Sequence, residues 1–162
     1  MLHIGGDNGI SGAFAAIDAQ SKIISMLTMP IQKARKGNEI DVVAVWEWMA
    51  PLVKEWGDTR VTIEEPGGSK SAHAAASMSG SFHTLRALCS LKGLRWHRIT
   101  PQSWQKILLP NCVAGDTKPR ALAAAKALWP SQSFLATVRS TVPHDGLIDA
   151  ALIAEFARRT SL

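Results

Sequence analysis

The chain has 162 residues, 46% of them apolar and 19% charged, which is the composition of one globular domain and excludes a disordered chain. No apolar run approaches the ~18 residues that a membrane helix requires. The opening Met-Leu-His-Ile lacks the basic-then-apolar pattern of a secretory leader, and Cys89 and Cys112 match no metal or redox spacing, so reduced thiols and a cytoplasmic location are expected. The formal net charge is +5, and it is unevenly spread. No acidic residue lies between Glu65 and Asp116, a stretch carrying Lys70, Arg86, Lys92, Arg95, Arg98 and Lys106 as well as His73, His83 and His97. Solvated faces usually mix both signs, so this distribution points to a polyanionic partner.

The first thirty residues read as three strands. Leu2 to Asp7 ends in the turn signal Asp-Asn-Gly, Gly12 to Asp18 is apolar with small residues, and Lys22 to Met29 is apolar again. Pro30 to Asn38 reads as a basic, glycine-containing loop. Glu39 to Trp56 places Ile40, Val43, Val45, Trp46, Met49, Leu52, Val53 and Trp56 at helical spacing. Arg60 to Glu65 is rich in strand formers and is stopped by Pro66-Gly67-Gly68. A long helix is expected over Ser69 to Leu91, with Met78, Phe82, Leu85 and Leu88 forming a core stripe. Leu94 to Ile99 reads as a strand. Thr100-Pro101 opens a short helix through Ile107, and Thr117-Lys118-Pro119 opens another to Trp129. A last helix runs from about Asp145 to Arg159. Trp46, Trp56, Trp104 and Trp129 fall at apolar helical positions and are expected in the core. Three strands followed by alternating helices and strands predict one α/β domain over residues 1–162, with a mixed sheet and helices on its faces.

Four carboxylates end up at element boundaries. Asp7 closes the first strand and Glu64 lies near the end of the fourth. Asp145 and Asp149, four apart, share one face at the start of the last helix, where like charges repel. Each alone has a structural reading: Asp7 forms a turn, and Asp145 complements a helix N-terminus. Together they are less easily explained, because the chain after Pro66 has 12 basic and only 4 acidic residues, two of which are this pair. Carboxylates are costly to bury unless paired or bound to a cation, and hard divalent ions prefer oxygen ligands. Two such ions roughly 4 Å apart suit phosphodiester cleavage.

Four segments resemble the RuvC-type Holliday junction resolvases, in particular their small phage-like members, within the ribonuclease H-like superfamily. They are Ile4-Gly5-Gly6-Asp7-Asn8-Gly9-Ile10-Ser11-Gly12-Ala13, Val61-Thr62-Ile63-Glu64-Glu65-Pro66, Ile99-Thr100-Pro101-Gln102-Ser103-Trp104-Gln105-Lys106, and His144-Asp145-Gly146-Leu147-Ile148-Asp149-Ala150 with Leu152-Ile153-Ala154. Their order and spacing match over nearly the whole chain. The resemblance implies an RNase H-like fold with a five-stranded mixed sheet, its first three strands antiparallel, and helices on both faces. It implies a homodimer that nicks branched DNA, the four-way junction in particular, using two Mg²⁺ per subunit, with Mn²⁺ able to substitute. It carries the catalytic and metal-ligand roles onto Asp7, Glu64, Asp145 and Asp149.

Two positions depart from the family pattern: Asn8 stands where Pro is usual, and the final acids are four apart, as in phage-like relatives, whereas bacterial resolvases resemble a spacing of three. Glu65 competes with Glu64 for the ligand role; strand alternation separates them onto opposite faces, and the family pattern favours Glu64. Lys70 in the Gly-Gly-Ser-Lys loop, Lys106, Lys118 and Arg120 are candidate DNA contacts. His144 reads either as a helix-start residue or as one that positions water or the scissile phosphate. The long helix after Lys70 is also the family's dimer contact. Competing readings are an actin-like ATPase sharing the phosphate-binding hairpin, a DNA-binding module without cleavage, and an exonuclease or RNA–DNA hybrid nuclease on the same fold.

Overall fold

A computed structural model of the protein describes residues 1–35, 37–68, 71–109 and 117–162. Three strands, β1 (Leu2–Asp7), β2 (Ala13–Asp18) and β3 (Ile23–Thr28), form an antiparallel meander. The segment expected as a loop instead forms a small antiparallel ribbon, β4 (Ile31–Lys33) and β5 (Asn38–Ile40), separate from the main sheet. The chain closes the base of this ribbon with a hydrogen bond from the Asp41 main-chain N–H to the Pro30 carbonyl, 2.9 Å. Helix α1 (Val42–Trp56) therefore begins later than its periodicity suggested. The Asp41 carboxylate accepts from the N–H groups of Val43 and Ala44, and Ile40 is spent on the ribbon.

Strand β6 (Thr59–Glu64) pairs parallel with β1. Helix α2 (Ala72–Leu91), capped by Ser71, leads to β7 (Arg95–Ile99), parallel to β6. The sheet order is β3-β2-β1-β6-β7. Helices α3 (Pro101–Leu108), α4 (Thr117–Leu128) and α5 (Asp145–Thr160) complete the chain. This is the five-stranded mixed sheet expected, with its first three strands antiparallel. Among the described residues no helix is long and apolar enough to cross a membrane. Lys70 and Cys112 lie outside the described residues. Cys89 is buried and free, and burial pushes its thiol up to about 12.

Strand alternation divides the core into two layers. Phe14 and Ala16 of β2, with Leu2, Ile4, Val61 and Ile63, pack under α1 and α2. Ala13, Ala15 and Ile17 face the other way, onto α3, α4 and α5. Trp104 and Trp129 are in this second layer, whereas Trp46 and Trp56 are only half-buried and rest against the first, the buried face of α1 being Val45, Met49 and Leu52. Among the described residues the acid-free stretch does not form a single basic face: Arg95 and Arg98 are both exposed, but alternation on β7 sends them to opposite sides of the sheet.

Helix α5 is buried from Gly146 to Ala157, apart from the half-buried Asp149, and lies directly on β1 and β2. Its approach depends on missing side chains. A Cβ on Gly5 would sit 2.1 Å from the Ala150 carbonyl oxygen and 2.4 Å from the Ala154 nitrogen. A Cβ on Gly146 would sit 2.8 Å from Cα of Gly12. Gly146, Ala150 and Ala154 recur every four residues, so one narrow stripe of the helix meets the sheet backbone.

At its far end α5 is pinned by Glu155, whose carboxylate accepts from Ser21 Oγ (2.8 Å), Arg158 Nε (2.8 Å) and Arg159 Nε (2.7 Å). Burial by itself would push Glu155 up, but these hydrogen bonds outweigh it and hold the carboxyl down at about 2. The close seat at Gly5 gives a direct expectation. Gly5→Ala forces α5 off the sheet and lowers unfolding free energy by about 3 kcal/mol or more, measured by urea denaturation.

Candidate functional site

Gly6 and Ile63 form the last paired position between β1 and β6, so Asp7 and Glu64 leave two adjacent parallel strands at the same end. Both lie on the side of the sheet that α5 covers. Seating Gly146 against the Ser11–Gly12 turn brings the first turns of α5 to that end too, and with them Asp145 and Asp149. The four acids thus come together from three elements, although 56 residues separate Asn8, next to the first, from Glu64.

Their electrostatics follow from this placement. Burial pushes the Asp149 carboxyl up to about 7, helped by the charges of Asp7, Glu64 and Asp145. Glu64 is also pushed up to about 7, chiefly by burial and further by Asp7, against the opposing effect of its bond with Trp104. Burial raises Asp7 as well, partly offset by the Gly9 N–H, which donates to its carboxylate at 3.4 Å, and by His144. The negative charge here is incompletely compensated. Lys118 provides part of the compensation: its Nζ lies 2.5 Å from Asp145 Oδ2, and the bond together with the charges of Asp145 and Asp149 raises the lysine.

Two supports were not legible in the motifs. The indole Nε1 of buried Trp104, on α3, donates to Glu64 Oε1 at 2.6 Å and fixes that carboxylate. Asn8 is buried and its side-chain amide donates to the Glu64 main-chain carbonyl, tying the ends of β1 and β6 together. That bond gives the departure from Pro a physical role, since Pro has no donor. Glu65 points away, 3.8 Å from Arg98, and its main-chain N–H extends the pairing to Ile99. His144 is the N-cap of α5: Nδ1 accepts from Leu147 N–H at 3.3 Å, and its ring lies within electrostatic reach of Asp7. Lys106 is exposed on α3, two residues past Trp104, and Arg120 is half-buried on α4, two past Lys118. The tryptophan was expected only as core, and nothing in its spacing marked it as a donor to Glu64.

All four candidate ligands offer carboxylate oxygen, the donor set of a hard divalent ion, and their raised carboxyls would be relieved by a cation among them. The chemistry fits. Among the described residues, however, no three such side chains are gathered closely enough to hold one metal ion together. To hold an ion the side chains would have to swing in, and Lys118 would have to leave Asp145.

No family model and no curated protein matches the chain. Solved structures do. A Thermus thermophilus RuvC structure superposes with a TM-score of 0.66 at 14% identity, covering 99% of this chain and 97% of that one. T. thermophilus RuvC in complex with a Holliday junction substrate gives 0.63 at 10% identity, covering 99% and 96%. The fold is therefore of the RuvC type, RNase H-like.

The site sets the pH dependence of stability. Glu64 and Asp149 titrate near 7 when folded, above their ordinary 4.5 and 3.8, so their charged forms oppose folding. The opposition is absent below about pH 4, grows between about 4 and 7, and is complete above 7. Glu155 has the opposite sign and loses its contribution as pH falls from about 4.5 toward 2. In EDTA, unfolding free energy should therefore rise from pH 8 to about pH 5 and fall below it. Asp149→Asn should gain about 1–3 kcal/mol at pH 8 and flatten the upper limb, read by urea denaturation at each pH.

Proposed function

We propose that this protein is a divalent-metal-dependent endonuclease that nicks branched DNA, with four-way junctions as its substrate and a two-fold homodimer as its working form. The observation that carries the reading is the meeting of Asp7, Glu64, Asp145 and Asp149 at the carboxyl end of the sheet, within a fold of the RuvC type. Asp7 and Glu64 lie on adjacent strands, and Asp145 and Asp149 face them from α5. These four carboxylates would hold two Mg²⁺ or Mn²⁺ ions. When bound, such a pair activates a water and stabilises the leaving oxygen of a phosphodiester.

The protein's own residues prepare that site. Trp104 holds Glu64 in one orientation, and Asn8 keeps the strand ends from splaying. His144 fixes the first turn of α5 through its bond with the Leu147 N–H, and so the direction of Asp145, and its charge acts on Asp7. Lys118 has two roles: it balances Asp145 before metal binds, and once released it reaches toward a substrate phosphate. Lys106, Arg120 and Lys70 are further phosphate contacts. A junction has two-fold symmetry and needs two opposed nicks, which two equivalent sites in a dimer supply.

The test is a cleavage panel of four-way junction, flap, RNA–DNA hybrid and linear duplex, with Mg²⁺ and with EDTA. Junction nicking that requires the metal is expected, and cleavage of hybrid or duplex alone would replace the reading by a hybrid nuclease or exonuclease. Asp7→Asn should abolish nicking while retaining junction binding, because the amide keeps the shape and removes the charge that holds the ion. Wild-type nicking by that variant would leave Asp7 as a turn residue only.

A further inference from the structure

The loop that carries the chain from α4 into α5 has no part in the catalytic reading. Phe134 anchors it: the ring is buried, with its centre 6.3 Å from that of Trp129. The Phe134 carbonyl accepts from the His144 N–H at 2.7 Å, so the excursion from Phe134 to His144 begins and ends at one place, directly before Asp145. Val138, four residues from Phe134, lies within about 14 Å of it. The tip of the loop therefore stands beside the acid-bearing start of α5.

That tip is a preformed turn. The Ser140 N–H donates to the Thr137 carbonyl at 3.0 Å, the Thr137 N–H to Ser140 Oγ at 3.2 Å and the Arg139 N–H to Thr137 Oγ1 at 3.3 Å, while the two hydroxyls lie 3.0 Å apart. Val138 and Arg139 hold the two central positions, where Gly, Pro, Asn, Asp and Ser are usual. Val138 is fully exposed, so burial gives it no part in holding the fold, and Val142 on the same loop is 73% exposed.

We propose that this tip touches DNA next to the scissile bond, with Arg139 holding a phosphate and Val138 packing against a base at the branch, so that Val138 helps decide which sequences are cut. The inference rests on the nuclease reading and names a residue that sets its specificity. Placement beside the acids is the first support. Charge is the second. From Thr117 to His144 the chain has no acidic residue and carries Lys118, Arg120, Lys126 and Arg139. Among the described residues no carboxylate pairs with Arg139, so a strand whose phosphate reaches the acids passes a cation free to meet it. The chemistry of the tip is the third. A lone exposed apolar side chain is ordinary. A valine beside a cation on a braced turn instead offers both contacts that a nucleotide accepts, one to phosphate that positions and one to the base that specifies. A turn already held by its own hydrogen bonds also loses little freedom on binding. A second copy of the chain is the poorer occupant, because a four-residue tip covers far less than the ~800 Å² per partner of a stable interface.

The experiment uses the full chain and labelled four-way junctions that differ in sequence at the branch. It measures affinity in EDTA across several salt concentrations, nicking of each junction in Mg²⁺, and mass in solution. Arg139→Ala should lose about fivefold in affinity for every junction and about one from the slope of log affinity against log salt. Val138→Ser should still nick, but the ratio of rates between the best and the poorest junction should shrink at least about fivefold, while Val138→Ile keeps that ratio. Val43→Ser, at a 62% exposed site on α1 across the sheet, should match the parent throughout. A parental ratio in Val138→Ser, or parental affinity and slope in Arg139→Ala, overturns the inference and leaves the nuclease reading intact. A parent that cuts every junction sequence alike overturns it too. A fall in mass on Val138→Ser assigns the tip to a second copy and overturns it as well. A parent that nicks no junction defeats both readings. Val138 and Arg139 are exposed, so these substitutions leave the fold in place.

Discussion

The close seat of α5 on β1 is the contact from which the site follows. Backbone meets backbone where Gly5 faces Ala150 and Ala154 and where Gly146 meets Gly12. Ordinary side chains would hold a helix and a sheet farther apart, and Asp145 and Asp149 would then stand back from Asp7 and Glu64. The Glu155 cluster clamps the other end of the same helix, joining it to Ser21 in the β2–β3 turn. A helix held at both ends has little freedom to relieve the crowding of charge at its start.

That crowding is the energetic cost of the arrangement. Carboxylates that are both partly buried and mutually repelling weaken the metal-free fold, and the protein offsets this locally. Trp104 donates to Glu64, the Gly9 N–H to Asp7, and Lys118 to Asp145. Among the described residues Asp149 accepts no comparable hydrogen bond, and it is one of the two acids pushed furthest up. Stability is thus given up where the carboxylates crowd together, and recovered in the two apolar layers that sandwich the sheet.

Much of this was legible in the chain. The three opening strands, the β6 and β7 runs and the caps at Thr100 and His144 are local signals: alternation, turn dipeptides and helix starts. The four acids stood out because they broke those signals, charged residues at the ends of apolar strands and a repelling pair in a basic region. The misses share a cause. Ile40 and Glu39 fit a helical period, yet Asp41 caps the helix and frees them for a ribbon that forms only because Pro30 and Asp41 meet in three dimensions. Trp104 follows the core pattern of α3 faithfully, and its second role depends on where β6 ends. The basic residues from Arg86 to Lys106 follow one another in sequence but fall on different faces once part of the run becomes an edge strand.

The ribbon's attachment has a consequence for how such a protein diversifies. Its two strands pair only with each other, and its two ends are closed by one hydrogen bond between Pro30 and Asp41. Residues can therefore be added, removed or exchanged at its tip without shifting β3, α1 or any acid of the site, since insertions at exposed tips are well tolerated. The frame that holds the acids and the segment beside it can change at different rates. The ribbon can vary in length and sequence while the glycines under α5 keep the four acids in place.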